Sequence, residues 1–270
     1  MRRVLAYADA ASGIVLRDAQ VFATYRLRFA SQLAAGFLSV TLFYYISRLV
    51  GVSSFRTHDA YFAYAVVGLA VMEVLVVTIA ALPARLQTEL VAGTFERLTV
   101  SPFGAVAAVM ALTIFPFLQA LVAAAVTLAF AGLVFGLSLH WATVPLALPT
   151  VAFAVLAFAP LSFFVAAIVL VAKQFAGAVA FLTTGISLVG GFFFPAHLLP
   201  GWVRWTHDVQ PFSPALELLR NVLVGTPMTG SAWAAVVKIA AFAAVLLPLG
   251  VLGLRLSVQV CRRRGTLLEY

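Results

Sequence analysis

The run 103–139, FGAVAAVMALTIFPFLQALVAAAVTLAFAGLVFGLSL, holds no Asp, Glu, Lys or Arg across 37 residues. Crossing the hydrocarbon core of a bilayer takes only about 20 apolar residues. This stretch is therefore long enough to cross and too apolar to face water. The rest of the chain agrees. Of 270 residues, 64% are hydrophobic and 10% charged, whereas a soluble domain is about half apolar and roughly a quarter charged. No globular core buries such an excess, so the chain reads as an all-α polytopic membrane protein.

Working outward, five further segments are apolar enough to cross: 30–50, 60–82, 144–172, 175–194 and 233–254. Arg48 lies near the end of its segment, where its long stem lets the charge snorkel outward. Pro83 is expected to close the second segment, and Pro160 falls inside the fourth. Residues 4–29 form a different unit. Ala11, Val15, Phe22, Tyr25 and Phe29 share one side of a helical wheel, with Arg17, Gln20, Thr24 and Arg28 opposite and Asp18 intruding on the apolar stripe. Such a helix lies in the membrane interface; a partly ordered cytosolic tail is the other reading. Met1-Arg2-Arg3 looks like a signal-peptide start, but Asp9 and Ser12 interrupt the apolar run that should follow, so no cleaved signal is expected.

The net charge is +8, from 17 Lys and Arg against 9 Asp and Glu. The basic residues sit at the two ends and in short loops, which fits positive-inside anchoring rather than a nucleic-acid partner. With one crossing in 103–139, one side receives twelve of them: Arg2, Arg3, Arg17, Arg26, Arg28, Arg85, Arg97, Lys173, Arg255, Arg262, Arg263 and Arg264. The other side keeps Arg48, Arg56, Arg204, Arg220 and Lys238. Two crossings there would divide the charge almost evenly, so six crossings with both termini cytoplasmic are expected. The third helix is then long, tilted or kinked at Pro116. No internal repeat is visible, and the whole chain, 1–270, reads as one transmembrane domain.

Two stretches are not simply lipid-facing. The cytoplasmic loop 84–102 holds Glu89, Gly93-Thr94-Phe95-Glu96-Arg97-Leu98 and Ser101-Pro102. Thr94 is placed to cap a short helix, and Ser101-Pro102 to stop it or start the next. The loop reads either as a docking element for another protein or as a solvated connector. The outer stretch 195–230 is too long and patterned for a plain loop. Trp202 and Trp205 suit the headgroup level. Ser213-Pro214 starts a short apolar helix, with the hydroxyl as cap and Gly225 ending it. Too short to cross, this region is expected to form a re-entrant or interfacial hairpin, with Glu217 and Arg220 paired to each other rather than contacting substrate.

Glu73 is placed deep in the second crossing, where a carboxylate is costly. A polar packing contact and a place in a translocation path remain equal readings. Gly132 and Gly136 make a small-xxx-small pair that permits close helix approach. The single cysteine, Cys261, rules out an intramolecular disulfide. There is no G-x-x-x-x-G-K-[ST], H-E-x-x-H or G-x-S-x-G. His58, His140, His197 and His207 are scattered through the outer loops without ligand spacing. No metal, catalytic residue or cofactor is expected on this chain.

With these residues in view, Glu89, Gly93-Thr94-Phe95-Glu96-Arg97-Leu98 and Ser101-Pro102 resemble the E-x-x-x-G-T-[LF]-E-x-L-x-x-S-P loop of type-2 ABC transporter permeases, the transmembrane subunits of ABC exporters. Phe193-Phe194-Pro195, Leu199-Pro200, Pro211, Glu217 and Arg220 are similar to that family's region between its last two crossings. Gln210 departs from the Asn that many polysaccharide exporters carry before the proline. The resemblance implies a second permease copy or a close relative. It also implies two cytoplasmic ABC ATPase subunits docked near Glu96, with ATP and Mg held by those subunits. The implied cargo is a lipophilic drug, a lipid or a lipid-linked molecule; a polysaccharide or teichoic-acid chain is the alternative. An ATPase-independent transporter or a membrane scaffold is the reading from another class.

Overall fold

The computed structural model describes residues 2–24, 26–49, 55, 57–93, 111, 113–172 and 176–264. Within them the chain forms α1 (Arg2–Thr24), α2 (Arg26–Leu49), α3 (His58–Val91), α4 (Ile114–Phe135), α5 (Val144–Ala172) and α6 (Ala176–Val189). A 3-10 turn at Ala196–Leu198 follows, then α7 (Gly201–Val209), α8 (Phe212–Val224) and α9 (Ala232–Arg264). No strand occurs among the described residues. Helices are what an apolar solvent demands, because each one bonds its own backbone N–H and C=O groups.

Among the described residues, five helices are long and apolar enough to cross a bilayer: Phe29–Leu49, His58–Val91, Ile114–Phe135, Val144–Val171 and Ala232–Cys261. The expected sixth segment, 175–194, differs. Its helix α6 has 14 residues, about 21 Å at 1.5 Å per residue. It ends at Val189 because Gly190 and Gly191 follow and Gly191 adopts φ 74°, a left-handed conformation that suits glycine.

Other boundaries move for identifiable reasons. Residues 26–29, grouped by the sequence with the interfacial helix, open α2 instead. The Arg26 guanidinium donates to the Ala23 carbonyl at 2.9 Å and so takes up an end carbonyl of α1. Pro83 does not close α3, which runs on to Val91. Leu82, Leu86 and Leu90, one helical turn apart, pack with Phe163, Ala166 and Leu170 of α5 and with Leu254 and Cys261 of α9. That packing holds the helix together past the proline. The run 103–139 contributes a helix of 22 residues; apart from Ala111, its portion before Thr113 lies outside the described residues. Pro116 falls in the first turn of α4, where a missing N–H breaks no helical bond. Gly136 caps α4 at φ 73°, its N–H bonded to Gly132 O at 3.2 Å. Gly136 thus lies just past the end of the helix, with Gly132 in its last turn. The last segment continues from 254 to Arg264, carrying its arginines on a helix.

α3 lies at the centre, packed against α2, α4, α5, α6 and α8, while α5 also packs along α9. Val67, Val71, Leu75 and Ile79 of α3 meet Phe158, Val165 and Val169 of α5 and Leu216 and Leu219 of α8. In lipid these contacts gain little from water exclusion, so close packing of small residues carries the association. Gly68 and Gly250 are two such points. A Cβ on Gly68 would strike the Phe192 carbonyl, and one on Gly250 would press on Pro160 and Phe163 of α5.

Candidate functional site

One end of the bundle gathers the start of α3, the end of α6, and α7 and α8. α6 stops too early for its last carbonyls to find helical partners, and the surrounding side chains supply them. Gln210 Nε2 donates to Val189 O at 2.9 Å. Tyr64 Oη donates to Gly191 O at 2.8 Å. Arg220 Nη1 donates to Gly191 O at 3.0 Å and Nη2 to Phe192 O at 2.7 Å. Arg220 also donates from Nε and Nη2 to Tyr64 O, at 3.2 and 3.1 Å, and its guanidinium carbon lies 3.3 Å from the centroid of the Tyr64 ring. With only 3% of its surface exposed, Arg220 joins α3, α8 and the segment after α6. Planar geometry with five donors is what lets one side chain serve three carbonyls.

This arrangement overturns the pairing expected of Glu217 and Arg220. Glu217 instead accepts from Thr229 Oγ1 at 2.9 Å, while Arg220 points to the backbone. Ser213 is not the cap of α8, which begins at Phe212 with Pro211 before it. The Ser213 hydroxyl accepts from Gln210 Nε2 at 3.2 Å. Gly225 ends the helix as the sequence predicted, at φ 67°. Pro195 accepts from Leu198 N at 3.1 Å within the 3-10 turn. Trp202 and Trp205 on α7 are exposed, as are Trp141 and Trp233 at the same end.

Midway along the bundle, Glu73 of α3 meets Thr127 of α4. The hydroxyl lies 3.4 Å from both carboxylate oxygens. Gly36 of α2 makes room for them: a Cβ there would sit 2.9 Å from Glu73 Oε1 and 3.1 Å from Thr127 Oγ1. Three helices therefore converge on one half-buried carboxylate. The sequence reading singled out Glu73 and missed Thr127 and Gly36. Their only signal was a hydroxyl and a missing side chain within otherwise apolar runs.

At the opposite end, Asp18 of α1 is 3% exposed. It pairs with Arg17 at 3.2 Å and with Arg85 of α3 at 3.0 Å. α3 then carries Glu89 and ends at Val91, capped by Ala92, with Gly93 at φ 67° donating to Leu90 O at 3.1 Å. The first half of 84–102 is thus the last turns of a helix. Thr94, Phe95, Glu96, Arg97, Ser101 and Pro102 lie outside the described residues.

Among the described residues no cluster of His, Cys, Asp or Glu is arranged for a metal ion. Such a bundle, with crossing-length helices and charged groups rare in its interior, defines a multi-pass membrane protein. The profile of the ABC-2 type transporter family matches residues 15–224. Since that match covers most of the chain, the protein belongs to this family, whose members are membrane transport components. No curated protein matches the chain.

Proposed function

We propose that this chain is the permease subunit of an ATP-driven exporter. In this reading it crosses the cell membrane six times with both termini in the cytoplasm, α6 being the short crossing. The strip 195–230 forms a re-entrant hairpin on the outer side. The cargo is a lipophilic drug, a lipid or a lipid-linked molecule. Two ABC ATPase subunits, holding ATP and Mg, dock on the loop that begins at Gly93, and a second permease copy or close relative completes the path. Glu73 is the candidate for that path.

The observation that supports this most directly is the course of α3. It runs without a break from the Arg220 cluster, past Glu73, to the family-like loop at Gly93. At about 1.5 Å per residue, 34 residues extend roughly 51 Å, well beyond a hydrocarbon core of about 30 Å. A single continuous helix therefore links the loop to both polar sites. The lack of a phosphate-binding loop in the sequence agrees with a motor on another polypeptide.

The decisive experiment is affinity purification of the full chain from native membranes, with and without Glu96→Lys. An ATPase with a phosphate loop is expected to accompany the wild-type chain, and Glu96→Lys to release it or uncouple its hydrolysis. Recovery of the wild-type chain without any ATPase would overturn the reading.

A further inference from the structure

We infer that Asp18 is a positioning residue for coupling: its ion pair with Arg85 clamps the interfacial helix α1 to the end of α3, so that the two move together. The inference rests on the exporter reading, in which the loop after Gly93 receives the motor's stroke.

Three features of Asp18 separate it from an ordinary surface acid. It is almost fully buried, although it belongs to a helix whose neighbouring residues are mostly exposed. It uses both carboxylate oxygens, with Arg17 Nη2 on Oδ1 at 3.2 Å and Arg85 Nη2 on Oδ2 at 3.0 Å. The Arg85 contact joins residues 67 apart in sequence. On residue pattern alone Asp18 spoils the apolar stripe of α1. Its position makes sense only with the Arg85 guanidinium supplied from another helix.

Arg85 lies two residues past Pro83 and two turns before Gly93. A proline interior to a helix removes one backbone hydrogen bond and makes a natural bending point. Motion of the segment 84–93 about Pro83 is therefore felt first at Arg85, and through Asp18 by α1. α1 in turn touches α4, where Phe22 lies 5.7 Å from Phe115, ring centre to ring centre. Phe22 also meets Phe29 at the start of α2, at 5.2 Å. One carboxylate thereby ties the segment leading into the docking loop to the entry of two further membrane helices. A buried charge that loses its partner is strongly disfavoured, so the clamp is held in one arrangement and does not slide.

The test uses the full chain in a Cys261→Ser background, spin-labelled through Leu16→Cys and Thr88→Cys, purified with its ATPase and reconstituted into liposomes. Two quantities are measured: the inter-label distance distribution and the cargo moved per ATP hydrolysed. The unmodified pair should give a narrow distribution. Asp18→Asn, which keeps the side-chain shape and removes the charge, should broaden it and lower cargo per ATP by about fivefold or more. The double variant Asp18→Arg/Arg85→Asp should recover the narrow distribution and most of the coupling, whereas each single charge change should not. Broadened distances with cargo per ATP unchanged would reduce the pair to a structural contact and overturn the inference. Failure of the double variant to improve on either single change would overturn it too. If no ATPase accompanies the unmodified chain, the exporter reading falls and the coupling role with it. If the ATPase is present and only the double variant fails, the clamp alone is wrong.

Discussion

Arg220 and Glu73 are both ionisable side chains set into an apolar bundle, and the fold treats them in opposite ways. Arg220 is 3% exposed and donates to three carbonyl oxygens, those of Tyr64, Gly191 and Phe192. Glu73 is half-buried and has one hydroxyl, at 3.4 Å. A carboxylate offers about four acceptor sites, so most of its bonding capacity is unused by its described neighbours. A group whose every donor nitrogen is engaged is part of the scaffold. A group held this loosely, its oxygens seated where Gly36 leaves out a side chain, is not locked into the scaffold in that way.

Removing Arg220 should have the largest effect. Arg220→Ala strands the Phe192 carbonyl and leaves Gly191 O with only the Tyr64 hydroxyl, just past the end of the short helix α6. A buried carbonyl left without its donor costs about 1–3 kcal/mol, and the packing of a buried side chain is lost as well. The expected outcome is a chain that is scarce in the membrane and aggregates in detergent, read by fluorescence-detected size exclusion. Arg220→Lys should rescue little, since one ammonium cannot reproduce the planar fork. A monodisperse, abundant Arg220→Ala protein would remove the scaffold half of the comparison.

Gly68→Ala should come next. The added methyl meets the Phe192 carbonyl, which belongs to backbone and has no rotamer to adopt, and it lies 3.0 Å from Arg220 Nη2. Overpacking of this kind costs roughly 1–3 kcal/mol. A fall in Tm with the protein still folded is expected. Gly36→Ala, whose methyl meets side-chain oxygens that can turn aside, should cost less in the same measurement. A reversed order would mean that the Glu73 node, not the Arg220 cluster, is the stiffer of the two.

Much of this architecture was legible in residue pattern. Apolar runs located the five helices long enough to cross, and the resemblance over Glu89 to Pro102 and around Pro211 pointed to the family. What could not be read was any contact across distant sequence. Asp18 looked like a flaw because its partner lies 67 residues away. Glu217 and Arg220, three apart on one helix, looked like a pair because local spacing says nothing of the carbonyls waiting at the end of α6. Pro83 looked like a stop because the leucines that hold α3 together beyond it meet α5 and α9, not each other. Lengths erred in the same direction: α6 is short because Gly190 and Gly191 break it, and hydropathy continues smoothly through Phe192-Phe193-Phe194.

The smallest structural effects, and the sharpest test of the comparison, belong to the Glu73 node. The contact from Thr127 is long, and a neutral hydrogen bond contributes only about 0.5–1.5 kcal/mol even at good geometry. Thr127→Val keeps the shape and removes the donor, so Tm should change by little and abundance should not change. Glu73→Gln likewise preserves volume and hydrogen bonding and removes the ability to ionise. If Glu73 lines the path, Glu73→Gln should lower efflux of a cationic amphipathic dye from cells while abundance and ATPase assembly stay normal. Glu73→Leu should lower it at least as far. If Glu73 only packs, Glu73→Gln should be nearly silent in transport, and Glu73→Leu should instead lower abundance or Tm by stranding Thr127. Transport and protein level measured together for the two variants separate these outcomes. A Glu73→Leu protein with normal efflux and normal abundance would leave the carboxylate without either role and erase its contrast with Arg220.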